Sequence, residues 1–259
     1  MNSAVQNIVV LKSHSRPERA STCQSCSKRT QCPASGIESG IQPTQRVIQA
    51  GKSVYEAGDT FDGIYIVRSG FLKSYSIDTD GVMQVTGFHL PGEFVGMDGI
   101  ENGSYGDHVE ALDTTSVCKL PLALFSQALG DPKNSATATG AHNSLMLTLV
   151  RLMSKAISGD RRMFFTLGKM SARRRMGMFL KELSERMAQS GYSASEFVLC
   201  MSRTDIANYL CLALETVSRL VTQLHAEGTI AIDRRHIRLL DMDALVRDDF
   251  AQEKMRKAG

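Results

Sequence analysis

The feature that most restricts the fold is a series of short, strand-like segments between about residues 46 and 125. Apolar and β-branched runs such as "GIYIVRSG" and "VMQVTGFHL" contain alternating residues, and glycine interrupts them at near-regular intervals. The pair Asp80-Gly81 lies between two such runs, as is typical of a β-hairpin. Many short strands separated by glycine turns predict a small antiparallel barrel or roll.

A helical region follows a low-complexity connector at Gly130–Asn143. Its seam positions step alternately by four and three residues, and they are Met146, Val150, Met153, Ile157, Asp160, Phe164 and Leu167. A heptad seam of this kind predicts a helix that pairs with its own copy in a homodimer.

Asp160 is the unusual member of that seam, because it would face Asp160 of the partner. Two desolvated carboxylates repel each other. In one interpretation the helices splay there and Asp160 reaches water. In the other, the dimer is deliberately marginal, so that a distant event can shift its equilibrium.

The segment from Ser202 to Asp241 predicts a winged helix-turn-helix. Ser202 and Asp205 fit a capping box at the start of a short helix over Arg203–Leu210, followed by a turn at Cys211–Ala213. A second, amphipathic helix is expected from Leu214 to about Glu227, and "TIAIDRRHIRLL" alternates like a two-stranded wing.

Three polar residues share one face at the start of the second helix: Glu215, Ser218 and Arg219. Arginine commonly reads guanine, and glutamate can accept a hydrogen bond from cytosine N4. The basic residues expected to contact phosphates are Arg203, Arg173–Arg175, Arg234, Arg235 and His236. The alternative is a solvated charged face with an ordinary Glu–Arg pair.

Three of the six cysteines lie in "TCQSCSKRTQC", where Cys23, Cys26 and Cys32 have the spacing C-x2-C-x5-C. No apolar run approaches the roughly 18 residues of a membrane helix, so we expect a cytoplasmic protein with reduced thiols. A disulfide framework is therefore disfavoured. Iron–sulfur ligands, zinc ligands, a thiol switch and incidental cysteines remain as alternatives.

Composition restricts the function further. The net charge is only +3, so DNA binding must come from a local basic face. The sequence has no Ser/His/Asp grouping and no glycine-rich phosphate loop, and its six histidines are scattered. We therefore expect no enzymatic activity. An iron–sulfur electron carrier is the alternative from a different functional class, although an electron carrier does not need a helix that recognises DNA bases.

The order of roll, pairing helix and winged helix-turn-helix resembles the CRP/FNR superfamily of bacterial transcription regulators, and especially its FNR group. The residues that carry the likeness are "KSYSIDTDGVMQVTGFHLPGEFVG", "RLMSKAISGD", "DIANYL", "LETVSRL" and the cysteine cluster. The resemblance implies an α+β fold. Its expected parts are a cysteine-rich arm (1–45), a cyclic-nucleotide-binding-like β-roll (46–130), a connector with the dimerisation helix (131–172) and the DNA-binding domain (173–259).

The resemblance also implies a mechanism. FNR-like proteins hold a [4Fe-4S] cluster, with Cys23, Cys26, Cys32 and Cys118 as the ligands expected here. Oxygen destroys the cluster, the dimer loosens and DNA binding is lost. The family's DNA-reading residues match Glu215, Ser218 and Arg219, and its dimer-helix switch matches Ile157 and Asp160. The implied partners are RNA polymerase and palindromic DNA resembling TTGAT/ATCAA, through which anaerobic genes are activated or repressed.

The chain is shorter after Cys32 and longer at the Gly130–Asn143 connector than typical FNR proteins, and it departs from superfamily patterns at two functional sites. Cyclic-nucleotide-binding members have Gly-Glu where this chain has Gly96-Met97, and the loop Asp98–Ala111 contains acids but no Arg or Lys. Cyclic AMP binding is therefore disfavoured. In the DNA-reading turn, Cys211 replaces the usual Gly and Ala213 the frequent Ser or Thr. Each change costs about 1 kcal/mol, the first from a left-handed non-glycine residue and the second from a lost helix cap.

Overall fold

The computed structural model of the 259-residue chain describes residues 19–20, 32, 43–122 and 140–247. Its elements in chain order are β1 Arg19–Ala20, β2 Thr44–Ile48, β3 Ser53–Tyr55, β4 Gly63–Ser69, β5 Leu72–Ile77, β6 Met83–His89, β7 Phe94–Val95, α1 Gly99–Asn102, β8 His108–Ala111, β9 Thr115–Pro121, α2 Gly140–Lys169, α3 Ala172–Gln189, β10 Glu196–Val198, α4 Arg203–Tyr209, α5 Leu214–Ala226, β11 Ile230–Asp233, β12 His236–Leu239 and α6 Met242–Leu245.

The predicted antiparallel roll is confirmed. Two sheets, β1-β2-β9-β4-β7 and β3-β8-β5-β6, enclose a core that includes Ile64, Leu72 and Leu120. Strands β5 and β6 form the expected hairpin around Asp80-Gly81, where Gly81 takes a positive φ of 80°. In the second sheet β6 is an edge strand, so one side of its backbone faces away from β5.

The long helix α2 connects the roll to the DNA-binding region. It begins at Gly140, so the end of the predicted connector Gly130–Asn143 is helical rather than irregular. Leu149 is buried in the roll core, and Leu152 packs against the same core. The predicted seam residues Val150, Met153, Ile157 and Phe164 are exposed in the single chain. No helix in the described ranges is long and apolar enough to cross a membrane.

The C-terminal part is a winged helix-turn-helix, as predicted. Its core includes Met176, Leu180, Ile206 and Leu224. The wing has a third strand that the sequence analysis missed, because β10 pairs with β12. The roll residues Val85, Phe88 and Leu90 belong to this same core. The roll and the DNA-binding unit are therefore packed together rather than joined only through α2.

Candidate functional site

The helix-turn-helix begins with the predicted capping box. The Ser202 hydroxyl accepts a hydrogen bond from the Asp205 backbone amide, and the Asp205 carboxylate accepts one from the Ser202 amide, both at 3.0 Å. Helix α4 then ends at the turn, where Cys211 has a φ of +51°. Ala213 caps α5 without any side-chain hydrogen bond. Both unfavourable features expected of this turn are therefore present.

Helix α5 presents the predicted reading face to solvent. Glu215 and Arg219 are exposed and Ser218 is half-buried. The opposite face is buried in the core through Val217, Leu220, Val221 and Leu224. Because the apolar side fixes the helix on the domain, the polar side of its first turns is free to approach the major groove of DNA.

The basic residues divide into two groups. Arg203, at the start of α4, and Arg234, in the wing turn, are exposed and suitably placed for phosphate contacts. Arg235 instead donates to the backbone carbonyl of Leu199 at 2.8 Å. His236 pairs with Glu196 at 3.2 Å.

Two arginines of the predicted phosphate-binding run also make internal contacts. Arg173 pairs with Glu227 at 2.5 Å, and its side chain is only 11% exposed. Arg175 donates to the carbonyls of Leu167 at 2.6 Å, Met170 at 3.1 Å and Leu210 at 3.1 Å. These side chains join elements of the protein, and their contact with phosphates stays a prediction.

Two of the predicted cluster ligands lie in the described part of the chain, and both line the same cavity. Cys118 is in β9, opposite Gln45 of β2 and Ile66 of β4. Cys32 and Cys118 both line a cavity of about 200 Å³. Cys23 and Cys26 lie outside the described residues.

The chemistry of this cavity fits a thiolate-bound group. Arg68 and Lys155 contribute positive charge to its lining, which favours thiolates and other anionic groups. Strand β1 pairs with β2, and Arg19 lies opposite Gln45, the residue that also faces Cys118. The arm is thus attached to the sheet just before Cys23 in the sequence. Within the described ranges alone, no three or more metal-binding side chains form a group.

The two predicted switch residues, Ile157 and Asp160, are three positions apart on α2, and both are exposed. Asp160 is the only acidic residue in the helix, and Arg161 and Arg162 follow it directly. Lys155, on the same stretch of helix, lines the cysteine cavity. Lys155 in the cavity lining is therefore only two positions from Ile157 in the exposed apolar stripe.

The loop predicted to disfavour a cyclic phosphate is organised by its own acids. Asp98 Oδ2 accepts hydrogen bonds from the backbone amides of Gly106 at 2.6 Å and Asp107 at 3.3 Å. Burial and then the nearby Asp98 raise the pKa of Asp107, although a hydrogen bond from Thr86 opposes the shift. Adding a phosphate beside these carboxylates would increase the repulsion.

The sequence analysis missed the polar contacts between the roll and the helix-turn-helix. Lys73 of β5 pairs with Asp205 at 3.0 Å, and Arg186 of α3 pairs with Glu93 at 2.6 Å. Asn208 of α4 forms hydrogen bonds to β6. The sequence did contain polar residues on the strand-like segment that becomes β6 and in the short helix α4. Their pattern does not show which distant surface each of them contacts.

Comparisons with known proteins agree with this architecture. A family model for the cyclic nucleotide-binding domain matches residues 45–131, and one for the Crp-like helix-turn-helix domain matches residues 174–247. The chain is 37% identical over 230 residues to the fumarate and nitrate reduction regulatory protein of Salmonella typhi, covering 86% of this chain and 88% of that one. It is 40% identical over 233 residues to the transcriptional regulatory protein btr of Bordetella pertussis, covering 87% and 92%.

Solved structures give the same result. FixK2 from Bradyrhizobium japonicum is similar with a TM-score of 0.64 and 29% identity, covering 79% of this chain and 96% of that one. TTHA1359, a CRP/FNR-family transcriptional regulator from Thermus thermophilus, shares the fold with a TM-score of 0.58 and 22% identity, covering 78% and 95%. The chain therefore belongs to the CRP/FNR family, as an FNR-like transcription regulator with a DNA-binding helix-turn-helix and not as an enzyme.

Proposed function

We propose that this regulator responds to oxygen through a [4Fe-4S] cluster bound by Cys23, Cys26, Cys32 and Cys118. As a homodimer it would bind palindromes resembling TTGAT/ATCAA and act with RNA polymerase on anaerobic genes. The observation that carries the proposal is that Cys32 and Cys118 line one cavity beside the helix with the predicted dimer seam. Sequences far apart in the chain supply these two thiols.

The surroundings of the cavity favour an anionic group. A [4Fe-4S] cluster held by four thiolates supplies oxygen-labile redox chemistry, and nearby charges and hydrogen bonds tune it. Arg68 donates to Gln45 Oε1 at 2.7 Å, which fixes its guanidinium at the cavity. Glu93, the acidic lining residue, is already paired with Arg186 at 2.6 Å. Arg68 and Lys155 thus leave the cavity with an excess of positive charge.

The cavity and the proposed dimer surface are connected through α2. Leu149 and Leu152 hold one side of the helix against the roll, and Lys155 lines the cavity. Ile157 and Asp160 lie on the exposed side. A change in the arm or the cavity can therefore change the position of the helix that pairs with the second subunit.

The exposed stripe on α2 supports pairing with a second copy of the chain. Phe164 is 82% exposed and Val150 is 58% exposed. Exposure of large apolar side chains to water is unfavourable in free energy, and burial against a second copy would remove it. Asp160 interrupts this stripe, so its repulsion from the partner's copy would keep the dimer marginal. A marginal dimer is what an oxygen signal needs in order to change DNA binding.

DNA recognition would use the exposed first turns of α5. Arg219 would read guanine and Glu215 would accept a hydrogen bond from cytosine, with Ser218 between them. Arg203 and Arg234 would contact phosphates on either side. Two such units related by a two-fold axis would read the two halves of a palindrome.

The first experiment is a measurement of iron, acid-labile sulfide and zinc per chain on anaerobically purified protein. We expect about four irons and four sulfides, and DNA binding that is lost after exposure to air. Zinc in place of iron would replace the oxygen signal with a zinc-dependent one, since four thiolates also suit Zn²⁺. Protein without metal whose DNA binding depends on thiol oxidation would indicate a thiol switch.

A further inference from the structure

We infer that the edge strand of the roll supports the turn of the helix-turn-helix, and that Gln84 and Asn208 are the positioning residues for the reading helix α5. The inference rests on DNA reading by α5. It concerns how this helix is held, and it does not depend on which signal the cysteines receive.

Asn208 pairs with β6 much as a neighbouring strand would. Strand β6 is at the edge of its sheet, where backbone groups lack a strand partner. The Val85 amide donates to Asn208 Oδ1 at 2.5 Å, and Asn208 Nδ2 donates to the Met83 carbonyl at 2.8 Å. One carboxamide thus satisfies both a donor and an acceptor of the edge strand.

Gln84 contacts the turn that follows α4. Its Nε2 donates to the Asn208 carbonyl at 2.8 Å, and its Oε1 is 3.9 Å from the Cys211 thiol. The Asn208 carbonyl also accepts a hydrogen bond from the Cys211 amide at 3.1 Å, which closes the turn. The roll therefore contacts the turn at the point where the chain changes direction between α4 and α5.

This turn is poorly determined by its own residues. Cys211 has a left-handed conformation that glycine adopts at lower cost, and Ala213 offers no cap to α5. Contacts from the roll to the turn offset both of these destabilising features. The ring of Phe88 from β6 lies 5.1 Å from that of Tyr209, and Lys73 reaches Asp205, so the contact continues along α4.

The test compares Gln84→Ala and Asn208→Ala with the parent chain, all full-length and anaerobically reconstituted. DNA affinity is measured for a duplex with the TTGAT/ATCAA palindrome and for a scrambled duplex of equal length. We expect affinity for the palindrome to fall about five- to tenfold, as for the loss of a partly buried hydrogen bond. Affinity for the scrambled duplex should stay nearly constant, because phosphate contacts tolerate small displacements of the helix.

Two further variants sharpen the test. Gln49→Ala, an exposed glutamine in the turn after β2, should change neither affinity. Adding Cys211→Gly to Gln84→Ala should restore most of the preference for the palindrome, because glycine relieves the left-handed residue that the roll supports. A simple loss of folded protein would lower both affinities together and would not be rescued in this way.

Hydrogen exchange gives a readout that is independent of the DNA sequence. The amides of Val85 and Leu212 should exchange faster in Asn208→Ala than in the parent. Unchanged exchange at both amides, or an unchanged ratio of the two DNA affinities, would overturn the inference. If the parent itself did not prefer the palindrome, the proposed target sequence would be wrong. The exchange rates would still show whether Asn208 and β6 hold the turn of the helix-turn-helix.

Discussion

The winged helix-turn-helix and the cysteine site are assembled in different ways. The DNA-reading unit takes its capping box, its two helices and all three strands of its wing from one continuous segment, Glu196 to Leu239. The cysteine site brings Cys32 from the arm to Cys118 in the middle of a five-stranded sheet, and β4, α2 and α3 also contribute to its lining. A proposed signal-receiving site lined by several separate elements can alter their arrangement, whereas a reading unit made from one segment can move as a rigid body.

The strongest test of this contrast is Cys118→Ala. Removing one of the four proposed thiolates should abolish iron and sulfide retention and air-sensitive DNA binding together, while the helix-turn-helix stays folded. Metal analysis and DNA binding with and without air measure both effects. Cys200→Ala is the matched control, because Cys200 lies in the DNA-binding unit outside the cavity, and it should load normally. Normal loading in Cys118→Ala would remove that residue from the ligand set.

Arg219→Ala tests the other side of the comparison. Loss of a bidentate contact to guanine should lower affinity for the palindrome about 10- to 100-fold, with iron and sulfide unchanged. Titration of labelled duplexes under anaerobic conditions measures the effect. Arg151→Ala removes an exposed arginine from α2 and serves as the charge-matched control. Equal losses from the two variants would mean that α5 does not read bases through Arg219.

Asp160→Ala tests the link between the two regions. Without the repelling carboxylates the dimer should strengthen about tenfold, and DNA binding should persist in air. Sedimentation of the aerobic protein gives the dimer constant. Because alanine also favours the helix itself, Ser158→Ala, two positions earlier and also exposed, is the control. A dimer constant equal to that of the parent would show that Asp160 lies outside the seam.

The smallest expected effect is a pH dependence of the roll. Desolvation lowers the pKa of His89 to about 4, and Arg186 contributes, while Glu93 and Asp98 oppose the shift. An unfolded histidine titrates near 6.5, so the unfolded chain binds this proton first as the pH falls. Stability should therefore be unaffected by His89 above about pH 6.5 and decrease from there to about pH 4, by at most about 1.4 kcal/mol per pH unit.

Urea unfolding at several pH values measures that slope for the parent and for His89→Gln. The variant should be less sensitive to pH in this window, because glutamine can keep the hydrogen bond to Ser74 without a titrating proton. His236→Gln, with an exposed ring, is the control. Identical slopes for the parent and His89→Gln would assign the pH dependence to the carboxylates instead.

Sequence reasoning predicted the local parts of this molecule well. The capping box of Ser202 and Asp205, the amphipathic stripe of α5 and the hairpin at Asp80-Gly81 each depend on neighbouring residues, and each is confirmed. The contacts of Asn208 with β6 and the internal roles of Arg173 and Arg175 were missed, because they depend on which distant surfaces meet. The cluster ligands were assigned by resemblance and stay a prediction.

The three hydrogen bonds of Arg175 have a consequence for the modularity of this architecture. Its guanidinium connects Leu167 in the last turn of α2, and Met170 just after that helix, with Leu210 at the end of α4. A hybrid regulator joined between α2 and α3 would inherit the Leu167 carbonyl from one parent, and Arg175 together with the Leu210 carbonyl from the other. Transplanted domains would therefore need an arginine at this position to stay in register with α2, and chimaeras without it should bind DNA but transmit the proposed signal poorly.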